Sequence, residues 1–309
     1  MLSARAAALL PRCTFPARAR PIACAVSGGA DSLALLALAV AAGCDATAYH
    51  VDHGIRPGSQ EEAEVVRTAA ERLGARFVAL RIECAPGPNL EARARALRLA
   101  ALPPGAATGH TADDQAETIL LNLLRGAGVD GLAGMRAGPR HPILGLRRAE
   151  TVELVASLDL AIVSDPSNAD LAFRRNRVRH ELLPLADAIA GRDVAALLAR
   201  QSATLADEAA FLDELAARLD PTDVAGLRAA PVALARRAVR VWLRDLAQPR
   251  YPPDAAAVER VLAVARGEVL ACEVASGLRI RRSAGRLVAE RRATPDPPGA
   301  VGRRRASHG

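Results

Sequence analysis

The sequence predicts an α/β fold: a doubly wound parallel sheet, then a long helix and a small α+β domain. Three observations point there. Through the first half, strand-like apolar runs alternate with segments of helical period. The first strand runs through a glycine-rich turn directly into a helix. After about residue 147 the pattern turns mostly helical and closes on short strands separated by glycine turns.

The elements follow in order. "PIACAV" (21–26) reads as a buried strand and 31–42 as a helix. "DATAYHV" (45–51) is a second strand. Residues 59–73 are a helix opened by Ser59, with Glu62 three residues later as a capping box. "RFVALRI" (76–82) is a third strand, 89–101 a helix, "AATGH" (106–110) a short fourth strand and 112–124 a helix. "HPILGL" (141–146) is expected to be a fifth strand. In such sheets ligands sit beyond the carboxyl ends of the strands. Leu198, Leu205, Leu212 and Leu219 recur every seven residues, which reads as one long helix packing a single face rather than a coiled-coil partner. Residues 231–247 and 253–266 read as helices, and 268–292 as strands joined at Ser276-Gly277 and Ala284-Gly285. The expected organisation is a domain at 1–192, a helical linker at 193–221, a small α+β domain at 222–292 and a disordered tail at 293–309.

Composition narrows the chemistry. The 309 residues carry a net charge of +7, and every one of the 41 basic residues is arginine. Without lysine there is no Walker A loop and no Schiff-base chemistry by this chain. Forked guanidinium donors suit phosphate, so a polyanionic partner fits. The five cysteines include no C-x-x-C pair, which argues against a structural zinc site and fits free thiols in a reducing cytoplasm. No apolar run approaches the ~20 residues of a membrane span. The Arg-rich N-terminus reads as an ordinary first helix in preference to a transit peptide.

"CAVSGGADSLALL" (24–36) places Ser27, Gly28, Gly29, Ala30, Asp31 and Ser32 between strand and helix. Backbone N–H groups at a helix N-terminus, with glycines that let them approach, make an anion site. Ser27 and Ser32 add hydroxyl donors. A helix cap accounts for one of these residues, not for all. Asp31 is the odd member, since a carboxylate repels phosphate unless a cation bridges, and Mg²⁺ is the natural bridge.

"GHTADDQAETILLNLLRGAGVDGLAGM" (109–135) sets His110, Asp114 and Glu117 on one helix face, with Asp113 beside them. Such a cluster suits Mg²⁺ or an ammonium group. Thr111 with Asp114 also matches a capping box, which leaves His110, Asp113 and Glu117 to explain. Gly126-x-Gly128-x-x-Gly131 follows a helix rather than a strand, so it reads as a helix end and turn and not as a dinucleotide fingerprint, with Arg125 placed to meet an anion. His50, Asp52, His53 and Arg56 close the second strand as either metal ligands or a turn. Glu91, Arg95 and Arg98 share a helix face, and Arg174, Arg175, Arg177 and Arg179 surround Asn176, as a phosphate patch or a solvated helix start.

The loop at 27–32 resembles the SGGxDS loop of the N-type ATP pyrophosphatases, the PP-loop proteins. The order of the later motifs is more specific. The HVDHGIR stretch from 50, the N-x-E-x-x-A-R-x-x-R segment from 89, the H-x-x-D-D-Q-x-E-T helix from 110 running into R-G-x-G-x-x-G-L, and D-x-S-N followed by R-N-x-x-R-H together resemble the tRNA(Ile)-lysidine synthetase family, from residue 25 to about 184. There are departures. Leu99 stands where that family has tyrosine, "LPPG" precedes a short strand before His110, and the usual Arg-Pro-Leu-Leu reads Arg140-His141-Pro142-Ile143-Leu144. The predicted organisation fits the family's shorter architecture.

The resemblance implies a PP-loop domain at 1–192, a tRNA-contacting domain at 222–292, and ATP-dependent ligation of L-lysine to C2 of the wobble cytidine of a CAU-anticodon tRNA(Ile). It implies ATP on Ser27, Gly28, Gly29, Ala30, Asp31, Ser32 and Arg125, with Mg²⁺ near Asp31. Asp31, His110, Asp114, Glu117 and Arg95 are the implied catalytic set, Asp114 and Glu117 the lysine contacts, and Arg174, Arg177 and Arg179 the tRNA contacts. It implies a cytoplasmic enzyme with no membrane partner, and leaves the oligomeric state, a homodimer included, open. Two other readings remain: a tRNA thiolase of the same superfamily, for which a cysteine pair is wanting, and an RNA-binding module without catalysis, which gains nothing from clustered carboxylates.

Overall fold

The computed structural model describes residues 4–52, 59–82, 90–163, 170–246, 253–274 and 277–291. The chain divides into two compact units, Met1–Asp207 and Glu208–Gly309.

In the first unit, β1 (Pro21–Ala25), β2 (Asp45–Asp52), β3 (Arg76–Arg81) and β4 (Ala107–Thr108) form a parallel sheet in the order β3-β2-β1-β4. The helices are α1 (Ala4–Leu9), α2 (Ala30–Ala41), α3 (Ser59–Leu73), α4 (Leu90–Ala101), α5 (Ala112–Leu123), α6 (Val129–Leu132), α7 (Arg148–Ser157), α8 (Arg174–Arg177) and α9 (Leu183–Ala190). α10 (Val194–Ala216) crosses the division between the units, and Leu219 lies beyond its end. The second unit holds α11 (Val224–Ala229), α12 (Val232–Leu246), α13 (Ala255–Arg266) and an antiparallel sheet of β5 (Ala271–Val274), β6 (Leu278–Ser283) and β7 (Arg286–Arg291).

α2 is the centre of the first core. Leu33, Leu35, Leu36 and Leu38 are wholly buried, as expected of a helix apolar on every side. They pack with Cys24 and Val26 from the β1 edge and with Leu154 and Val155 of α7. Register pairs Ala25 with Tyr49 and with Thr108, so β1, β2 and β4 finish at one edge. The loops leaving that edge carry the glycine turn and the approach to α5.

One expected element is absent. Residues 141–146 are not a strand but a series of turns, with Leu144 N–H donating to His141 and Leu146 N–H to Ile143. Ile143 and Leu146 are fully buried, so their apolar pattern reports core packing, not sheet pairing. The proposed tail at 293–309, the 164–169 part of the D-x-S-N motif, and His53 and Arg56 lie outside the described residues.

Candidate active site

The turn after β1 is built around Gly28, whose φ is +89°. A Cβ there would sit 2.5 Å from Val163 Cγ2, so only glycine fits. Ser27 N–H donates to Ser32 Oγ at 3.2 Å, and Ser32 Oγ–H donates to the Gly29 carbonyl at 2.8 Å. α2 then begins at Ala30 with no side-chain cap. Ser32 and Leu33 N–H donate to the Gly29 carbonyl, and no side chain occupies the helix start, where an anion is favoured. Gly109 brings the next loop close: a Cβ on it would lie 2.7 Å from the Asp31 carbonyl oxygen. This contact sets the entrance of α5 beside the start of α2.

Across that contact lies a cluster of opposite charges. Arg148, the first residue of α7, donates from Nε to Asp31 at 3.2 Å, from one terminal nitrogen to Asp114 at 2.9 Å and from the other to Glu117 at 3.2 Å. Arg175 donates to Glu117 at 2.6 Å and to Asp114 at 3.0 Å. Arg179 donates to Glu117 at 2.7 and 3.2 Å. Thr151 donates its hydroxyl to Asp31. Three carboxylates thus meet three guanidiniums, with Glu117 wholly buried among them. Arg179 sits on a wide turn over Val178–Leu182, a local bulge of the kind found at functional sites.

Asp114 satisfies both sequence readings at once. Its Oδ2 closes a capping box with Thr111, at 2.9 Å from N–H and 3.0 Å from Oγ1, while Oδ1 faces Arg148 and Arg175. Burial pushes its carboxyl up, but Arg148, the Thr111 amide, Arg175 and His110 outweigh it and hold it below the ordinary value. Asp31 goes the other way: burial dominates, and Thr151 and Arg148 offset it only in part, so its carboxyl is raised. Asp113 turns away from the cluster to Arg147, at 2.9 and 3.1 Å, and to the Arg148 amide at 2.7 Å. It holds the start of α7 in place rather than facing the loop.

The structure unites Ser27 to Ser32, Asp114 and Glu117 in one place, and His110 lies one residue before the Thr111 cap. It does not bring in Arg125, which is exposed in the turn after α5. That turn lies at the far end of α5, whose twelve residues span ~18 Å from the end that Gly109 sets beside the glycine loop. Arg174 is exposed, and Arg177 is exposed and paired with Glu181 at 2.9 Å. Arg179, expected on the tRNA, points inward instead. Arg95 lies on α4, and its side chain is outside the described residues. His50 is buried, its Nδ1 2.9 Å from the Val26 carbonyl, a structural contact. Arg148 carries no motif of its own. The signal for it was the charge imbalance of three clustered acids that needed cations.

The PP-loop domain family matches residues 3–186, and the TilS substrate-binding domain family matches 223–288. A tRNA(Ile)-lysidine synthase of Nocardia farcinica is 44% identical over 247 residues, covering 75% of this chain and 78% of that one. The chain belongs to the tRNA(Ile)-lysidine synthase family. Family members of the same name from Rhodococcus erythropolis, 41% identical over 72% of this chain and 74% of that one, and Mycobacterium tuberculosis, 41% over 71% and 73%, are similar. Among solved structures, a U34-tRNA thiolase from Methanococcus maripaludis superposes with a TM-score of 0.50 at 18% identity, over 65% of this chain and 77% of that one, a likeness of fold alone. The Ser27–Ser32 turn and the departures at Leu99 and His141 all fall within the matched PP-loop domain. No described helix is long and apolar enough to cross a membrane.

Proposed function

We propose that this chain joins L-lysine to C2 of the wobble cytidine of a CAU-anticodon tRNA(Ile), in the cytoplasm, at the cluster beside the glycine turn. The observation that carries this reading is the site's double character: an anion-binding helix start set against carboxylates that are matched one for one by arginines. The first feature suits a triphosphate and the second a cationic co-substrate. In the first step the cytidine O2 attacks the α-phosphate, and pyrophosphate leaves from the amides at the start of α2. The base must leave its stack to reach the site. In the second step the ε-amine of lysine attacks C2, the C2–O2 bond breaks, and AMP departs with that oxygen.

The arginines have two alternative counter-ions. They stand on Asp31, Asp114 and Glu117, and a triphosphate competes for the same forked donors. Each guanidinium drawn toward phosphate releases carboxylate charge, and Asp114 and Glu117 then hold the lysine ammonium. Arg148, Arg175 and Arg179 take the phosphate role expected of Arg125, while exposed Arg174 and Arg177 remain for the tRNA.

Mg²⁺ belongs to this proposal as a companion of the triphosphate. Asp31 is a poor metal ligand as it stands, because Thr151 and Arg148 take its two oxygens. Among the described residues no group of three His, Cys, Asp or Glu could hold a metal ion. The thiolase reading has no support in the thiols. There is no C-x-x-C pair, and burial pushes the Cys24 thiol, next to the loop, up to about 12.

Pyrophosphate release from ATP tests the first step. Release stimulated by a CAU-anticodon tRNA(Ile) transcript, and not by the same transcript with another wobble base, is expected. Equal release with both would remove the cytidine from the reaction.

A further inference from the structure

Thr108, His110 and His141 form a closed triangle beside the cluster. Thr108 Oγ1 is 2.7 Å from His110 Nδ1 and 2.9 Å from His141 Nδ1, and the two Nδ1 atoms are 3.2 Å apart. The rings meet edge to face at 70°, with centroids 5.1 Å apart. Thr108 Oγ1 also reaches the Arg140 carbonyl at 3.1 Å. β4 supplies the threonine, the approach to α5 supplies His110, and the turns that replaced the expected fifth strand supply His141.

Hydrogen counting restricts this triangle. Two facing nitrogens cannot both carry a hydrogen, nor both present a lone pair, without repulsion, and the hydroxyl has one hydrogen to give. A proton added to the pair has two well-bonded arrangements, related by exchanging the rings across Thr108, and the lower basicity of His141 selects the one that charges His110. His110 becomes the imidazolium and donates Nδ1–H to Thr108 Oγ1. Thr108 then donates to Nδ1 of a neutral His141. His141 suits the neutral role, since burial and the adjacent Arg140 lower its pKa. Among the described residues, charged groups facing the pair include Arg140, from the His141 turn, and Asp114, from α5, whose carboxyl feels the charge of His110.

We propose that Thr108 and His141 are positioning residues, which hold His110 in the orientation and proton state from which it takes a proton off the attacking lysine amine. The inference rests on lysidine formation being the reaction. The ε-ammonium must lose one proton before its lone pair can attack C2, and a second as the C2–N bond completes and AMP leaves. His110 accepts one of these at Nε2. Its Nδ1–H stays bonded to Thr108, much as a carboxylate orients the histidine of a hydrolytic triad.

The test compares four variants of the full chain in single-turnover lysine transfer, followed as a function of pH. His141→Leu and Thr108→Val remove the acceptor or the hydroxyl, whereas His141→Asn and Thr108→Ser keep a polar atom near the same place. The first pair is expected to slow transfer at least about tenfold, with KM for lysine within about twofold. Pyrophosphate release should suffer less than transfer. With the acceptor gone the imidazolium is less stable, so the acid limb of the rate profile moves to lower pH. The second pair should recover to within about threefold of the unaltered protein. An unchanged rate and acid limb in His141→Leu would overturn the inference. So would His141→Asn no better than His141→Leu, because packing alone then explains the residue. If the unaltered protein transfers no lysine, the reaction assignment falls first. If it transfers lysine and His141→Leu does too, only the positioning role falls.

Discussion

Arg148 touches all three carboxylates of the cluster, and one guanidinium serves as the partner of Asp31, Asp114 and Glu117. Its own pKa is raised, because attraction from Asp114, Glu117 and Asp31 exceeds the cost of burial. Removing one member of a buried ion network leaves the others uncompensated, typically at about 3–5 kcal/mol. Arg148→Met is accordingly expected to lose stability of that order in urea unfolding. Its loss should exceed that of Arg177→Met, whose Glu181 pair is exposed. Equal losses would mean that Arg148 is not the hub. The acids were visible in the sequence through their spacing on one helix face, but their partners were not. Arg148 and Arg175 reach them from α7 and α8, and such pairing depends on topology that no local pattern records. Asp113 shows the reverse case: conspicuous in sequence, it is a structural anchor for Arg147.

At the scale of elements, the glycine turn and the close approach of Gly109 hold the site open. Gly28 combines a left-handed φ of +89° with a separation of only 2.5 Å between any Cβ and Val163 Cγ2. Gly28→Ala should cost about 1–3 kcal/mol from backbone strain alone. It should also weaken ATP binding, read by titration of the nucleotide, while a wild-type affinity would show that the turn is not the phosphate cradle. Most elements were legible because their periodicity was strong: α3 spans Ser59–Leu73 as expected, and the β5-β6-β7 turns fall near Gly277 and at Ala284-Gly285. The 141–146 segment was misread because a short buried apolar run looks the same in a strand and in a packed turn. Pro142, which cannot donate to a ladder, was the available warning. A strand there would have paired His141 with a sheet neighbour, whereas the turns bring its Nδ1 to 3.2 Å from that of His110.

For the whole molecule, the proposed exchange of arginine partners couples ATP to lysine. The cluster is charge-balanced without ligands, with Asp31, Asp114 and Glu117 against Arg148, Arg175 and Arg179. Lysine alone meets carboxylates that are already engaged. Equilibrium dialysis should therefore show labelled lysine retained at least about fivefold more tightly with a non-hydrolysable ATP analogue than without it. Equal retention would mean that lysine binds elsewhere or that the arginines do not exchange partners. The basic excess of the chain fits a polyanionic substrate, but charge by itself would not have separated this family from other nucleic-acid binders. The order of motifs did that.

The most direct measurement is transfer of radiolabelled lysine, with ATP and Mg²⁺ present, to a CAU-anticodon tRNA(Ile) transcript. Lysidine formation predicts label fixed covalently at the wobble cytidine, with one AMP and one pyrophosphate formed per lysine. ATP cleaved to AMP and pyrophosphate with no lysine on the tRNA would contradict it.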